Sequence, residues 1–560
     1  MLPLTSASEE QKTQEAKNIM ANRLLESTST SGNYLAGRHA QTSKDIFKAA
    51  HYFSKALESS PDNQNLLQRT FLMMASQGRI DEALPLAHKV LIKNSKAPVA
   101  NLTVIAGDIQ LNLFSKALKK IQALPIGGLN DYLAPLLSAW TSIAQGRTIQ
   151  DSLAQLAPLK QERSKPLYYL HKALLLDFKG NHEDAVKAYL QGIKEQGTLT
   201  PRVAQLLGNL YERRGEINKA KNLYKKFAQD NPNSYFHHHV LKQFDDMVLP
   251  LPIITTAKDG AAESFLGIAT SLFQQNANEM ALFFARVGLY LRPNSPAIKF
   301  LLGKILQKDG QLENANTILL SISKSSVYSW PSRLRAAENW NSLDQTDEAI
   351  KTLKVMANEK PKLADAVIKL GDILRIRERF LEAQMAYDQA IKRVGVLKPH
   401  HWVLLYTRGI VFERTKQWEK AEADFLKALE FNPNQPSVLN YLGYSWVDQG
   451  IHLDRAKELI QKAVNLRPND GYIVDSLGWA YFQLGEFSNS VKEMERAIEL
   501  KPEDPVLNDH LGDALWRVGR KIEARYQWKR ALIFNPDDAL RIQIGKKLVK
   551  GLPDAPNKTE

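Results

Sequence analysis

Four prolines near the C-terminus, Pro433, Pro468, Pro502 and Pro536, follow one another at spacings of 35, 34 and 34 residues. Between them the same residue types return in register. Gly409, Gly443, Gly478 and Gly512 open the series, Ala421, Ala456, Ser490 and Ala524 stand twelve residues before each proline, and Ala428, Ala463, Ala497 and Ala531 stand five before it. A period of this length predicts stacked units of one supersecondary element. The small residues specify that element as two antiparallel helices. The glycine lets the second helix approach the first, and two small residues on the second helix do the same from the other side. Leu477, Tyr481 and Met494 fill the remaining space, and the proline starts the turn to the next unit because it cannot continue a helix.

This pattern closely resembles the tetratricopeptide repeat. The register extends backwards through Gly371, Leu374, Ala383, Tyr387 and Ala390, ending at Gly395, then Trp340, Ala349 and Pro361, then Gly303, Leu306 and Ala315, then Ala269, Ala281 and Pro293. Gly208, Tyr211, Ala220, Tyr224 and Pro232 make a unit, as do Gly37, Ala40, Ala49, Phe53, Ala56 and Pro61. Between 62 and 200 the glycines are lost, but Ala83, Ala117, Ala185 and Tyr189 keep the register. The expected fold is all-α, a right-handed superhelical solenoid of about 13–14 helix pairs with one irregular, proline-containing interruption. Pro250 and Pro252, in an apolar β-branched run, set that interruption at 233–262 as extended chain. The expected organisation is a flexible or partly helical segment 1–30, with 8–26 partly helical, an N-terminal array 31–232, the linker 233–262, a C-terminal array 263–538, and a capping helix and tail 539–560.

The resemblance places the first helix of each unit on the concave surface. In the stretch DGYIVDSLGWAYFQLGEF, residues 470–487, the side chains Val474, Leu477, Gly478 and Tyr481 face the second helix. Tyr472, Asp475, Trp479 and Phe482 fall on another stripe. Asn440 and Tyr444 take the places of Asp475 and Trp479 one unit earlier, with Tyr406 before them, and Asp509 and Asp513 take them one unit later, with Trp516 a turn beyond. These nine residues (Tyr406, Asn440, Tyr444, Tyr472, Asp475, Trp479, Asp509, Asp513 and Trp516) are the expected ligand-binding groove. Rings give contact area at little entropic cost, and Asn or Asp can bond a peptide backbone or a basic group. The competing reading is that the rings pack between adjacent first helices and the acids are solvated. Some members of the family hold a C-terminal carboxylate on this face with a basic clamp. Here the matching positions are Asp, Asn and Tyr, which speaks against that use.

No other chemistry stands out. His237, His238 and His239 are consecutive and would diverge on a helix, and His400 and His401 precede one, so neither group forms a metal site. There is no phosphate-binding glycine loop, no Gly-x-Ser-x-Gly and no His-Glu-x-x-His. No catalytic residue, cofactor or metal is expected, and no small-molecule substrate. Cysteine is absent, which excludes disulfides and thiol catalysis. The net charge of +14 comes from 74 bases spread among 60 acids, a solvated basic surface rather than a nucleic-acid stripe. No run approaches the roughly 18 apolar residues of a membrane span.

The runs NYLGYSWVDQG, DGYIVDSLGWAYFQLGEF and DHLGDALWRVGRKIEARYQW resemble the envelope-associated tetratricopeptide proteins of α-proteobacteria, more distantly lipoproteins that tether proteases or other envelope enzymes. That resemblance implies a non-catalytic adaptor holding a partner protein or extended peptide, such as an envelope protease or cell-wall enzyme. The alternatives are an accessory subunit of a protease or sugar-transfer machinery, and a basic scaffold for nucleic acid. Members begin with an export signal. MLPLTSASEEQKTQEAKNIM does not read as one. We read the chain as a mature or truncated form, periplasmic or outer-membrane-associated, and as cytoplasmic if no export segment was removed.

Overall fold

The computed structural model describes residues 29–231 and 250–553. Most of the expected segment 1–30, the helix at 8–26, His237–His239, the linker residues up to 249 and the tail from 554 lie outside the described residues. Within them stand twenty-nine α-helices, fourteen antiparallel pairs followed by a single last helix, Asp538–Lys550. The all-α expectation and its number of pairs match this architecture.

From Asp365 to Ile533 each pair is closed at a first-helix glycine. A Cβ at Gly371 would lie 2.7 Å from the ring of Tyr387, at Gly409 2.6 Å from Phe425, at Gly443 2.6 Å from Ile460, at Gly478 2.5 Å from Met494 and at Gly512 2.4 Å from Trp528. In each case the bulky residue is on the second helix of the same pair. It sits between the small residues that bring the helices together, as Phe425 sits between Ala421 and Ala428, all fully buried. Gly478→Leu is therefore expected to destabilise by about 1–3 kcal/mol through overpacking. An unchanged thermal melt would show that the pair does not close on Met494.

Packing divides the chain into two compact units, Met1–Thr352 and Leu353–Glu560. The sequence reading divided it instead at 233–262. Two observations explain the difference. First, the extended stretch is shorter than expected on its C-terminal side, because a helix begins at Ala257. The Thr256 side chain accepts from the Asp259 N–H while the Asp259 carboxylate accepts from the backbone N–H of Thr255 and Thr256, each at 2.9 Å. This capping box satisfies orphan amides of the first turn and starts the helix.

Second, the pair that follows packs back on the earlier array. Helix Ala257–Gln274 lies against Asn130–Ala144 and Lys165–Phe178, and helix Asn278–Leu291 against Gln64–Gln77 and Pro98–Gln110. All four of those partners are first helices of their pairs. Gly260 brings the helix backbone onto Trp140, whose Nε1 donates to His171 Nδ1 at 3.1 Å. Burial drives His171 down to about 4, so it stays neutral and can accept that bond. Arg202 forms a two-pronged ion pair with Glu263, and Arg286 Nε donates to the Ser76 carbonyl at 3.2 Å. In this unit four of the upstream first helices are covered by the chain's own helices.

Candidate functional site

In the unit Leu353–Glu560 the first helices form the inner layer. Pro436–Asp448 lies against Gly471–Leu484, and Gly471–Leu484 against Pro505–Arg517, while successive second helices stand further apart. The nine expected residues are on this layer, and the structure separates them into acids that the fold uses and rings that stay partly open.

The carboxylates are not open to a partner. Asp475, Asp509 and Asp513 are 5%, 4% and 5% exposed. His510, on the next first helix, places Nδ1 2.9 Å from Asp475 Oδ2. Lys547, on the last helix, places Nζ 2.7 Å from both Asp509 Oδ2 and Asp513 Oδ2, and Trp528 Nε1 donates to Asp513 Oδ1 at 2.9 Å. The sequence reading, which set these acids on an exposed stripe, is corrected here: they latch one first helix to the next. The physical reason is that a carboxylate buried between stacked helices must be met by a donor or cation.

Electrostatics follows this geometry. Burial alone would lower His510, but the charge and hydrogen bond of Asp475, with the charges of Asp509 and Asp513, raise it overall. Burial first, then the neighbouring charge of Asp509, pushes Asp513 up to about 6 against the opposing pull of Lys547. Among the described residues Asn440 Oδ1, Asp475 Oδ1 and Asp509 Oδ1 are buried without a hydrogen-bond partner. They occupy one position on three successive first helices. Each leaves unused an acceptor whose desolvation costs about 1–3 kcal/mol.

The rings behave differently. Trp479 is half-buried and stacked on Phe482 at 4.8 Å and on His510 at 4.3 Å between centroids. Tyr444 is half-buried. Burial, followed by the charges of Asp448 and Asp475, pushes its hydroxyl up to about 12. Tyr406 packs edge-on against Tyr441 at 6.0 Å, and Tyr472 is 52% exposed with Lys501 Nζ 5.3 Å from its ring. Trp516 lies under Lys521 and Arg525, at 5.1 and 5.4 Å, and against Gly551. Asp475, Trp479 and His510 thus form one cluster, and Asp509, Asp513 and Lys547 another. Tyr406 stands two first helices before Trp479.

Sequence reasoning missed His510 and Lys547. The signal was the period itself: His510 follows Asp475 by 35 residues and Lys547 follows Asp513 by 34, so these two acids each have a base one repeat downstream. Among the described residues no group of three or more His, Asp or Glu is arranged to hold a metal ion, and no helix is long and apolar enough to cross a membrane. The rings of His400 and His401 lie 4.0 Å apart at a tilt of 53°, and His401 Nδ1 accepts from the Lys398 amide.

Models of the tetratricopeptide repeat match residues 167–197, 205–234, 402–435 and 475–504. A TPR repeat-containing protein of Pseudomonas aeruginosa is 27% identical over 167 residues, 30% of this chain and 28% of that protein. BBSome complex member BBS4 of Bos taurus is 25% identical over 147 residues, 26% of this chain and 27% of that protein. The chain therefore spans little more than a quarter of the length of these curated relatives. Among solved structures, the APC/C hetero-tetramer Cut9-Hcn1 aligns over 95% of this chain and 98% of its own at 15% identity, with a TM-score of 0.39. The four matched segments fall on helix pairs already described, each closed by a bulky second-helix residue such as Tyr189, Tyr224, Phe425 or Met494. The chain is thus an all-α array of helix pairs that carries tetratricopeptide repeats.

Proposed function

We propose that the chain is a non-catalytic scaffold that holds a partner protein, through an extended segment, along the first-helix face of the unit Leu353–Glu560. The observation that carries this reading is the series of partly open rings on three successive first helices, Tyr406, then Tyr444, then Tyr472 with Trp479. Behind them the buried carboxylates of Asp475 and Asp509 hold the first helices in place through His510 and Lys547. Trp516 extends the row, and Asp513 supports it from within. Such a row offers an extended segment contact area with little rotamer entropy. The upstream unit supports the same choice, because the chain's own helices already lie on four of its first helices.

The partner class we propose is an envelope protease or cell-wall enzyme, in a bacterial envelope, as the likeness to envelope-associated α-proteobacterial tetratricopeptide proteins implies. A periplasmic or outer-membrane-associated location goes with it. The names of relatives that are members of multi-subunit complexes accord with a scaffold role.

The test selects extended peptides from a displayed library on the wild-type protein and measures their affinity for Tyr444→Ala/Trp479→Ala. A loss of about 2 kcal/mol or more in binding, with the melting transition retained, is the expected result. Equal affinity for both proteins would remove the first-helix face as the binding surface.

A further inference from the structure

The last helix, Asp538–Lys550, continues the register of the first helices: Gly545 follows Gly512 by 33 residues. One side of this helix belongs to the array, where Ile544 is fully buried and Lys547 reaches Asp509 and Asp513. The glycine side is different. Among the described residues a Cβ at Gly545 would meet nothing within 4 Å, whereas at the five preceding first-helix glycines of this unit it would collide with a bulky second-helix residue. The apolar neighbours one turn to either side, Ile542 and Val549, are 60% and 77% exposed. The residues that follow do not repeat the second-helix pattern. Asn557 stands twelve after Gly545, where Ala524 stands twelve after Gly512 and Ser490 twelve after Gly478.

We propose that the Gly545 notch is a docking site for one helix of a partner protein, an amphipathic helix that completes the half-built repeat. Its recognition element is a large apolar residue between two small ones, as Phe425 stands between Ala421 and Ala428. The interface it forms continues the one that repeats along the array. Charge fixes the rest of its chemistry. Arg541, Lys546 and Lys550 are exposed around the notch, so the helix carries acids on its flanks. A second copy of this chain fits less well. Its helix Lys521–Ile533, with Ile522, Tyr526 and Ile533 exposed, brings Lys521, Arg525, Lys529 and Arg530 against a single acid, Glu523. Two Gly545 faces would likewise oppose like charges. The docking site does not use the ring-bearing stripe and stands independently of the function proposed above.

The probe is a fluorescent, hydrocarbon-stapled peptide of residues 418–431, WEKAEADFLKALEF, which holds Phe425 between Ala421 and Ala428 and carries four acids against two bases. Its binding to the full chain is followed by anisotropy. Saturable binding is expected, weakened by at least about tenfold by Gly545→Leu on the protein, by Lys546→Glu/Lys550→Glu, or by Phe425→Ala in the peptide. Gly545→Leu should not lower the melting temperature, since the added side chain enters open space. Trp479→Ala should bind the peptide as wild type does, which separates this site from the ring-bearing face. Absence of saturable binding up to about 1 mM, or equal binding by Gly545→Leu, overturns the proposal. Sedimentation of the wild type as a dimer that Gly545→Leu makes monomeric also overturns it, because the occupant would then be a second copy.

Discussion

Lys547→Ala is expected to destabilise the end of the C-terminal unit by about 3–5 kcal/mol, the cost of leaving a buried charge without its partner. The ammonium of Lys547 lies 2.7 Å from both Asp509 and Asp513, whose side chains are 5% and 8% exposed. Without it two carboxylates one turn apart on the same helix lose their shared cation. Repeat arrays are held by nearest-neighbour interfaces, so the loss stays local. Hydrogen exchange should rise in 505–550 and change little in 365–431. The deficit also has a sign with pH. Asp513 titrates at about 6 in the fold against an ordinary 3.8. A carboxyl raised in this way favours the folded state at acid pH, and that contribution is lost as pH climbs from about 4 through 6. His510, also raised, favours the fold below its ordinary 6.5 and loses that effect as pH rises through its folded value. Removing Lys547 raises Asp513 further, so the variant's deficit should be largest at pH 8 and smallest near pH 5. Melts that show the same small deficit at both pH values would mean that Lys547 is not holding the two acids. Asp509→Asn/Asp513→Asn in the Lys547→Ala background should restore much of the stability, because it removes the stranded charges.

Arg202→Ala is expected to cost about 3–5 kcal/mol in the other unit, for the same physical reason at a deeper site. Glu263, 5% exposed, is on the helix that lies over the upstream first helices, and Arg202 is its cation. Burial would raise Glu263, but the charge and hydrogen bonds of Arg202 hold it below the ordinary carboxylate range, so it is ionised and needs its partner. Stripping away the guanidinium should loosen Ala257–Gln274 and speed exchange there first. The double variant Arg202→Met/Glu263→Leu removes both charges together and should be far less damaging than either single change. Equal losses in the single and double variants would show that packing volume, and not the ion pair, holds this helix.

Both predictions concern residues whose importance the repeat pattern hides. Gly478, Ser490, Met494 and Ala497 are legible in the sequence because close helix approach admits few side chains and recurs at each unit. The Asp475 stripe is legible only in phase. A helical period tells which side of the helix a carboxylate leaves, but not whether His510 is stacked one helix away to meet it. The nine residues read as an open groove therefore divide, in the structure, into buried latches and half-open rings. The period sets Lys547 34 residues after Asp513, but not against it.

The division between the two units shows the same limit. Pro250 and Pro252 mark a break in helical register, and the structure has non-helical chain from 250 to 256. The break was not a boundary between packing units, because Ala257–Leu291 found its apolar partners on the first helices upstream. Helix pairs, their order and their internal closure follow from residues within 34 positions of one another, so the sequence by itself determined them. Which first-helix faces are covered, which acids are neutralised and which glycine is left unfilled depend on contacts between elements far apart in the chain. Those contacts are chosen by burial and charge pairing in three dimensions, and only the tertiary structure decided them.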